Sequence, residues 1–386
     1  MPSALDVLTP SRVRGIISRI KTPGSVMARH FGFDIDGKNT TDAPPGARTY
    51  TYDIFDNTRT VARGRLPGAA ANAIAKNPVS NNTVTLARNA EKVIMDYNIL
   101  DSIRALGENA GQLDKRGAKY VEAQAKFMRQ RMDNWREFVT GSLFRGGVYY
   151  FVKDGEDLVP SYTSSGSFFG VDLQIPSTNK LIGGSFAAGL QMGTGANIID
   201  ASWATASTDI PTHLLKISRA FQALVGAPLT DVYLDSVTWG YVLQNTLVRQ
   251  LAGTSNSPYA KWDMENDKAP DGTLTGKMTG RIAGLSWITW HIYDGIIQTE
   301  VTPTNTQVLP DSYATFTIDK DAGGWLLGVE GSETIKDNDI SPGVMRNGLY
   351  NWVMERADPA RFEMHGIQNF GIELNTPSGI ATARVR

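Results

Sequence analysis

The chain has no cysteine. That removes disulfides, thiolate metal sites and cysteine nucleophiles together. Histidine is nearly as scarce. His30, His213, His291 and His365 are the only four in 386 residues, too scattered to suggest a zinc site. No charge of one sign dominates, with 38 Lys+Arg against 39 Asp+Glu and a net charge of -1. A dedicated nucleic-acid binder is usually basic overall, so bulk charge drives no contact here. No apolar run approaches the ~18 residues of a membrane helix. The stretch Met1 to Pro10 lacks the charged and apolar regions of a secretory signal. The expectation is a protein made in the cytosol, with no membrane partner.

Recognisable chemistry is missing too. There is no G-x-S-x-G elbow and no phosphate-binding P-loop. Gly193-Thr194-Gly195 lacks the third glycine of a dinucleotide fingerprint. The run Asp319-Lys320-Asp321-Ala322-Gly323-Gly324, leading to Glu330, nearly matches a calcium loop. Gly323 stands where an oxygen ligand is needed, Leu327 fills the water-mediated position, and the flanks read as strands. A β-hairpin with an Asp/Gly turn is expected there, without metal. His213 and His291 sit in apolar segments and read as structural histidines. No catalytic residue, metal or cofactor is expected.

What the chain does have is an unusual order of elements. Residues 1–30 carry five basic residues, Arg12, Arg14, Arg19, Lys21 and Arg29, against Asp6 alone. They read as a basic arm, closed by the turn-forming stretch 31–46. From Arg48 to Ala90 two extended stretches flank Leu66-Pro67-Gly68. This segment holds six basic residues and two acids, with few large apolar groups. Each arm could reach roughly 50 Å yet cannot form a core of its own. Such a hairpin must find its apolar partner elsewhere, and Pro78 and the charges guard its exposed edges.

Residues 108–141 are the clearest predicted helix. Leu113, Tyr120 and Phe127 are seven apart, as are Val121, Met128 and Trp135, and Phe138 and Val139 continue the face. Lys115, Lys119, Glu122, Lys126, Arg129, Asp133 and Arg136 are assigned to the wet face. Gly141 is the expected stop. Val148 to Val152 reads as a strand turning at Asp154-Gly155. Residues 160–200 are Ser/Gly-rich, with short strands whose order stays open. Beyond them, Asp209 and Pro211 start a helix that ends at Gly226, Asp231 to Leu234 is a buried strand, and Asp235 or Ser236 caps another helix. Residues 252–280 read as a long polar loop. Strands follow at 281–293, 296–302, 313–318 and 325–329. The tail reads as a hairpin, Phe362 to Leu374 and Ile380 to Val385.

Three segments resemble the major capsid proteins of tailed bacteriophages, the lambda-type branch of the HK97-like fold. They are Asp114 to Gly141, closing on Phe138-Val139-Thr140-Gly141; Trp203 through Leu234-Asp235-Ser236-Val237-Thr238-Trp239; and Asp358-Pro359-Ala360-Arg361-Phe362 to the last strand. The similarity spans about residues 45–386. It implies an α+β chain with an N-terminal arm (1–46), an extended loop (47–90) and a peripheral domain (91–199) built on a spine helix at 108–141. An axial domain (200–345) with a central loop at 252–280 follows, and 346–386 return to the peripheral domain.

By the same resemblance, Arg48, Arg59, Arg63, Arg65 and Lys76 of the extended loop would pair with acids of a neighbouring subunit. Leu113, Tyr120, Phe127, Met128, Trp135 and Phe138 would pack the spine. The implied function is a self-assembling shell of hexamers and pentamers enclosing double-stranded DNA in a virion, assembled in the host bacterial cytoplasm. The DNA would be held non-specifically on the inner face, with portal, decoration and scaffolding proteins as further partners. A fused scaffolding segment is not expected. Lys76 is the one lysine of the loop that could serve a covalent crosslink, and no matching reactive site is identifiable. An encapsulin-like nanocompartment shell is the runner-up. A soluble polysaccharide hydrolase is the alternative from another class, and it would need two carboxylates ~5–9 Å apart in a cleft.

Overall fold

The computed structural model describes residues 25–34, 37–55, 79–96, 115–155, 157–182, 186, 189–252, 262–268, 274–298, 305–320, 325–337, 340–357 and 360–386. Arg12, Arg14, Arg19, Arg59, Arg63, Arg65, Lys76 and Leu113 lie outside them. So do residues 108–114 of the expected spine helix.

Two large sheets organise the rest. The seven-stranded sheet runs, in spatial order, Trp262–Lys268, Leu274–Ile282, Thr289–Tyr293, Asp231–Leu234, Tyr313–Thr317, Ile380–Arg384 and Lys180–Leu181. Its middle strand, Asp231–Leu234, is buried throughout, as a short run flanked by a strand on each side should be. It pairs in parallel with Thr289–Tyr293 and antiparallel with Tyr313–Thr317. The six-stranded sheet centres on Ala360–Leu374. Around it lie Ala87–Asp96, Tyr350–Ala357 and Leu326–Asp337, and the last of these also pairs with Thr40–Asp42 and Ile340–Asn347. A smaller three-stranded sheet joins Asp157–Ser161, Val148–Asp154 and Ser167–Asp172.

Five α-helices are described: α1 (Val26–His30), α2 (Lys115–Gly141), α3 (Ile210–Leu224), α4 (Ser236–Gln244) and α5 (Thr246–Ala252). Local chemistry explains two of the starts. Asp209 accepts from Thr212 N at 3.0 Å ahead of Pro211 in the first turn of α3. Buried Asp235 accepts from both Val237 N and Thr238 N at 3.1 Å to open α4. Each cap stabilises its helix by about 1 kcal/mol.

Several expectations are corrected. The stretch 252–280 is not one polar loop: Trp262–Lys268 and Leu274–Ile282 form an antiparallel pair at the edge of the seven-stranded sheet. Few of its side chains turn inward, so the pair lacks the apolar alternation that marks a strand. The tail is not a hairpin. Ala360–Leu374 lies in the six-stranded sheet, while Ile380–Arg384 pairs with Tyr313–Thr317 in the other. The Asp319 segment is likewise a connection between the two sheets, since Tyr313–Thr317 and Leu326–Asp337 do not pair. The α-helical part of α2 does end at Gly141, but that glycine keeps a right-handed backbone and does not turn the chain. A 3-10 turn continues to Arg145, and Gly146 in the left-handed region (φ +78°) ends it. Gly141 is small for another reason, because a Cβ there would collide with the Tyr162 hydroxyl.

One core spans both sheets. A chain of aromatic rings crosses it: Tyr233 to Phe31 at 5.7 Å, Phe31 to Phe33 at 5.8 Å, and Phe33 to Phe370 at 6.1 Å. The residues just after α1 thus bolt the seven-stranded sheet to the six-stranded one.

Candidate assembly interface

The expected extended loop begins as a ribbon. Thr49–Phe55 pairs antiparallel with Val79–Thr85, Thr49 opposite Thr85 and Phe55 opposite Val79. Its inner face is Tyr52, Ile54, Asn82 and Val84, all buried. Its outer face is exposed, with the Thr51 and Thr83 hydroxyls 3.0 Å apart. Asn82 anchors the ribbon by donating to Tyr52 Oη at 2.9 Å and to Asp172 O at 3.1 Å, and it accepts from Gln174 at 2.9 Å. Ala87–Asp96 leaves the ribbon and joins the six-stranded sheet beside Ala360–Leu374. The ribbon therefore closes at Leu86. Of the five basic residues assigned to this loop, only Arg48 is described, and it is exposed at the ribbon base.

Helix α2 packs on the six-stranded sheet. Val121, Ala125 and Met128 meet Met95, Phe362 and Met364, with Tyr120 half-covering the edge. Trp135 stacks on Phe151 at 5.5 Å and Phe138 on Tyr162 at 4.3 Å. Tyr120, Met128, Trp135 and Phe138 therefore face inward. Phe127 does not. It is 55% exposed, on the outer face beside Arg131. A seven-residue spacing drifts around a straight 3.6-residue helix, which separates Phe127 from the core side.

The larger correction concerns charge. Arg129, Asp133 and Arg136 were assigned to the wet face, yet all three are buried, as is Glu137. Arg136 is fully enclosed. Its guanidinium donates to Phe33 O at 2.9 Å and Gln368 Oε1 at 3.1 Å, lies 2.8 Å from Glu330 and rests 4.9 Å over the Phe370 ring. Glu137 accepts from Met27 N at 3.0 Å and Ala28 N at 2.9 Å, which caps α1 from another element. Burial pushes its carboxyl up to about 7, against the pull of those two amides. Nothing local in the sequence signals the roles of Arg136 and Glu137, whose partners named above lie about a hundred or more positions away, whereas Arg129 and Asp133 pair within α2 at 3.4 Å.

A cavity of about 580 Å³ opens where the ribbon base, α2, Ala87–Asp96 and the Val148–Ser161 hairpin meet. Arg48, Glu91, Arg131, Trp135, Asp154 and Asp157 are among its lining. Arg131 holds Glu91 at 2.9 Å. The buried indole nitrogen of Trp135 has no hydrogen-bond partner among the described residues. The feature is a hollow at the root of the ribbon, lined by charges of both signs.

His213 is placed as a structural histidine. It accepts from Trp203 Nε1 at 3.3 Å and meets Asp200 at 3.0 Å. His291 is buried and bound to Asp231 at 2.7 Å. Among the described residues no group of three metal-ligating side chains converges. No described helix is long and apolar enough to cross a membrane.

No protein-family model matches the chain, and no curated protein matches it. Solved structures do. A candidate capsid protein of a prophage, from E. coli CFT073, superposes with a TM-score of 0.57 at 13% identity, covering 98% of this chain and 99% of that one. A phage-related protein from Bordetella bronchiseptica RB50 gives 0.47 at 9% identity, over 98% and 97%. The mature capsid of bacteriophage PhiM1 gives 0.42 at 11%, over 90% and 84%. The first of these carries the assignment of fold. This chain has the α+β fold of that prophage protein from end to end, the HK97-like fold that the three sequence segments pointed to.

Proposed function

We propose that this chain is the major capsid protein of a tailed phage or prophage, a subunit that assembles with copies of itself into a closed shell. The observation that carries the proposal is the end-to-end match in fold to the prophage capsid protein. The geometry supports it independently. A ribbon with a finished inner face and a bare outer face leads into residues 56–78, which carry Arg59, Arg63, Arg65 and Lys76 against Asp56 alone. That segment has too little apolar surface to fold on itself. A basic segment on an anchored stalk suits a neighbouring copy better than its own core.

In this reading residues 47–90 are the extended loop, the six-stranded sheet with α2 belongs to the peripheral domain and the seven-stranded sheet with α3 to α5 to the axial domain. Strands Leu326–Asp337 and Ile340–Asn347, expected in the axial domain, therefore go with the peripheral one. Residues 346–374 complete the peripheral sheet. Hexamers and pentamers would build an icosahedral head in the virion, assembled in the bacterial cytoplasm. The basic arm with Arg12, Arg14 and Arg19 would face packaged double-stranded DNA, without sequence preference. Portal, scaffolding and decoration proteins would be its other partners. Stability would come from many weak contacts repeated around the shell.

The test is the size and image of the purified protein. Megadalton shells or capsomers in electron micrographs support the proposal, and a small oligomer that never assembles overturns it. Deleting residues 60–80 should leave a folded chain that forms no shell; normal shells from that deletion would remove the role given to the loop.

A further inference from the structure

His30, at the end of α1, is half-buried against the seven-stranded sheet. Its Nε2 lies 2.9 Å from Tyr233 Oη, and its Nδ1 lies 3.1 Å from Lys277 Nζ. An ammonium only donates, so Nδ1 is the acceptor and the ring carries its single proton on Nε2. A second proton can go only to Nδ1, directly at the Lys277 ammonium.

Among the described residues, the carboxylates bonded around His30 are engaged by other groups. Lys277 is buried and held by Asp267 at 3.1 Å, and Asp267 also accepts from Thr279 at 2.9 Å. Asp231 is taken by His291 at 2.7 Å and by the Thr230 hydroxyl at 2.6 Å. The His291 ring lies 4.5 Å from that of His30 and stacks on Tyr233 at 4.6 Å. Lys320 donates to His30 O at 3.0 Å. Among the described groups in these contacts, Lys277 and Lys320 stand against Asp267 and Asp231, and each protonated imidazole would add a further positive charge. At the other end of α1 stands Glu137, with Tyr293 beside it, while the Arg29–Asp34 pair, at 4.0 Å, lies at the same end as His30.

We propose that His30 is an acid-released latch: its neutral ring fastens α1 to the seven-stranded sheet, and protonation frees α1 from it. The latch belongs to the single chain and does not depend on the shell reading. Burial, with His291, Lys277 and Lys320 nearby, holds His30 well below the ordinary histidine range. Burial lowers His291 as well. A base that binds its proton less readily when docked favours docking above its free value of about 6.5 and loses that advantage as pH falls below it. Glu137 has the opposite sign. Raised from 4.5 to about 7, it would alone tighten α1 on acidification. The direction of the pH response therefore separates the two groups.

The absence of cysteine makes the test direct. Met27 is fully buried in α1, so Met27→Cys supplies the only thiol in the full-length chain. Its rate of exchange with dithiodipyridine, divided by the rate in the denatured chain at the same pH, reports how often α1 opens. In a Glu137→Gln background, which removes the carboxyl that tightens α1 in acid, protection should fall by about tenfold or more between pH 7.5 and pH 5. His30→Gln, which can keep a donor toward Tyr233 and an acceptor toward Lys277, should flatten that response. Lys277→Gln removes the opposing ammonium and should move release to lower pH, an independent readout should the first variant fold poorly. Protection that is constant or rises in acid overturns the proposal, as does a full response in His30→Gln or an unmoved one in Lys277→Gln.

Discussion

The two halves of α2 follow different rules. From Tyr120 to about Arg131 the helix has a dry side on the six-stranded sheet and a wet side bearing Glu122, Lys126 and Phe127. From Trp135 to Gly141 every residue is buried, charged ones included. In the first half, burial follows spacing along the helix. In the second, the sheet, the Val148–Ser161 hairpin and the segment around α1 close over all sides. Charge is tolerated there because each group meets a fixed partner from a distant part of the chain.

The sharpest way to break that contrast is Trp135→Asp. It places a carboxylate against Phe151 with no partner, and the chain should fail to fold, a loss exceeding about 4 kcal/mol. A soluble variant with cooperative unfolding would show that the second half is not enclosed. Arg136→Met is next. Removing the cation strands Glu330, with an expected loss of about 3 kcal/mol in denaturant unfolding. A loss under about 1 kcal/mol would put Arg136 among ordinary surface charges.

Glu137→Gln should act through pH. The parent gains stability from this group as pH falls from about 7 toward 4.5, because the folded chain binds the proton more tightly. Gln cannot titrate, so the variant's deficit in thermal midpoint should widen over that range. A constant deficit would contradict the raised value. The smallest effect belongs to the first half: Phe127→Ser, on the wet side, should shift the unfolding free energy of the chain by under about 0.5 kcal/mol. A larger shift would mean that the outer face of α2 is covered within the chain itself.

The same contrast explains what could be read from the sequence. Asp209 with Pro211, Asp235, the Asp231–Leu234 strand and the Asp154-Gly155 turn announce themselves through neighbours a few positions away. The packing of Val121, Met128 and Trp135 is legible because a helix repeats. Arg136 and Glu137 look like solvated charges until Phe33, Gln368 and Met27 arrive from far along the chain. The pair Trp262–Lys268 and Leu274–Ile282 is hidden because an edge strand can be polar on both faces. The capping hydrogen bonds of α1 come from α2, and residues 26–30 offer no cap of their own. The ribbon base is legible as two extended stretches, but not the packing of its Tyr52, Ile54 and Val84 into the chain's own core, which needs partners from other elements. The hollow around Trp135 is not legible, since it exists only where four elements meet.

The strand Ile380–Arg384 lies inside the seven-stranded sheet, between Tyr313–Thr317 and Lys180–Leu181. The chain must therefore be translated to residue 384 before this sheet can close. Until then Tyr313–Thr317 presents an unpaired edge, and Lys180–Leu181, made some two hundred residues earlier, waits for its partner. Pairing over such a separation is slow. During that interval a nascent chain is open to chaperones and to premature strand exchange. A chain truncated before Ile380 would leave the Tyr313–Thr317 edge unpaired.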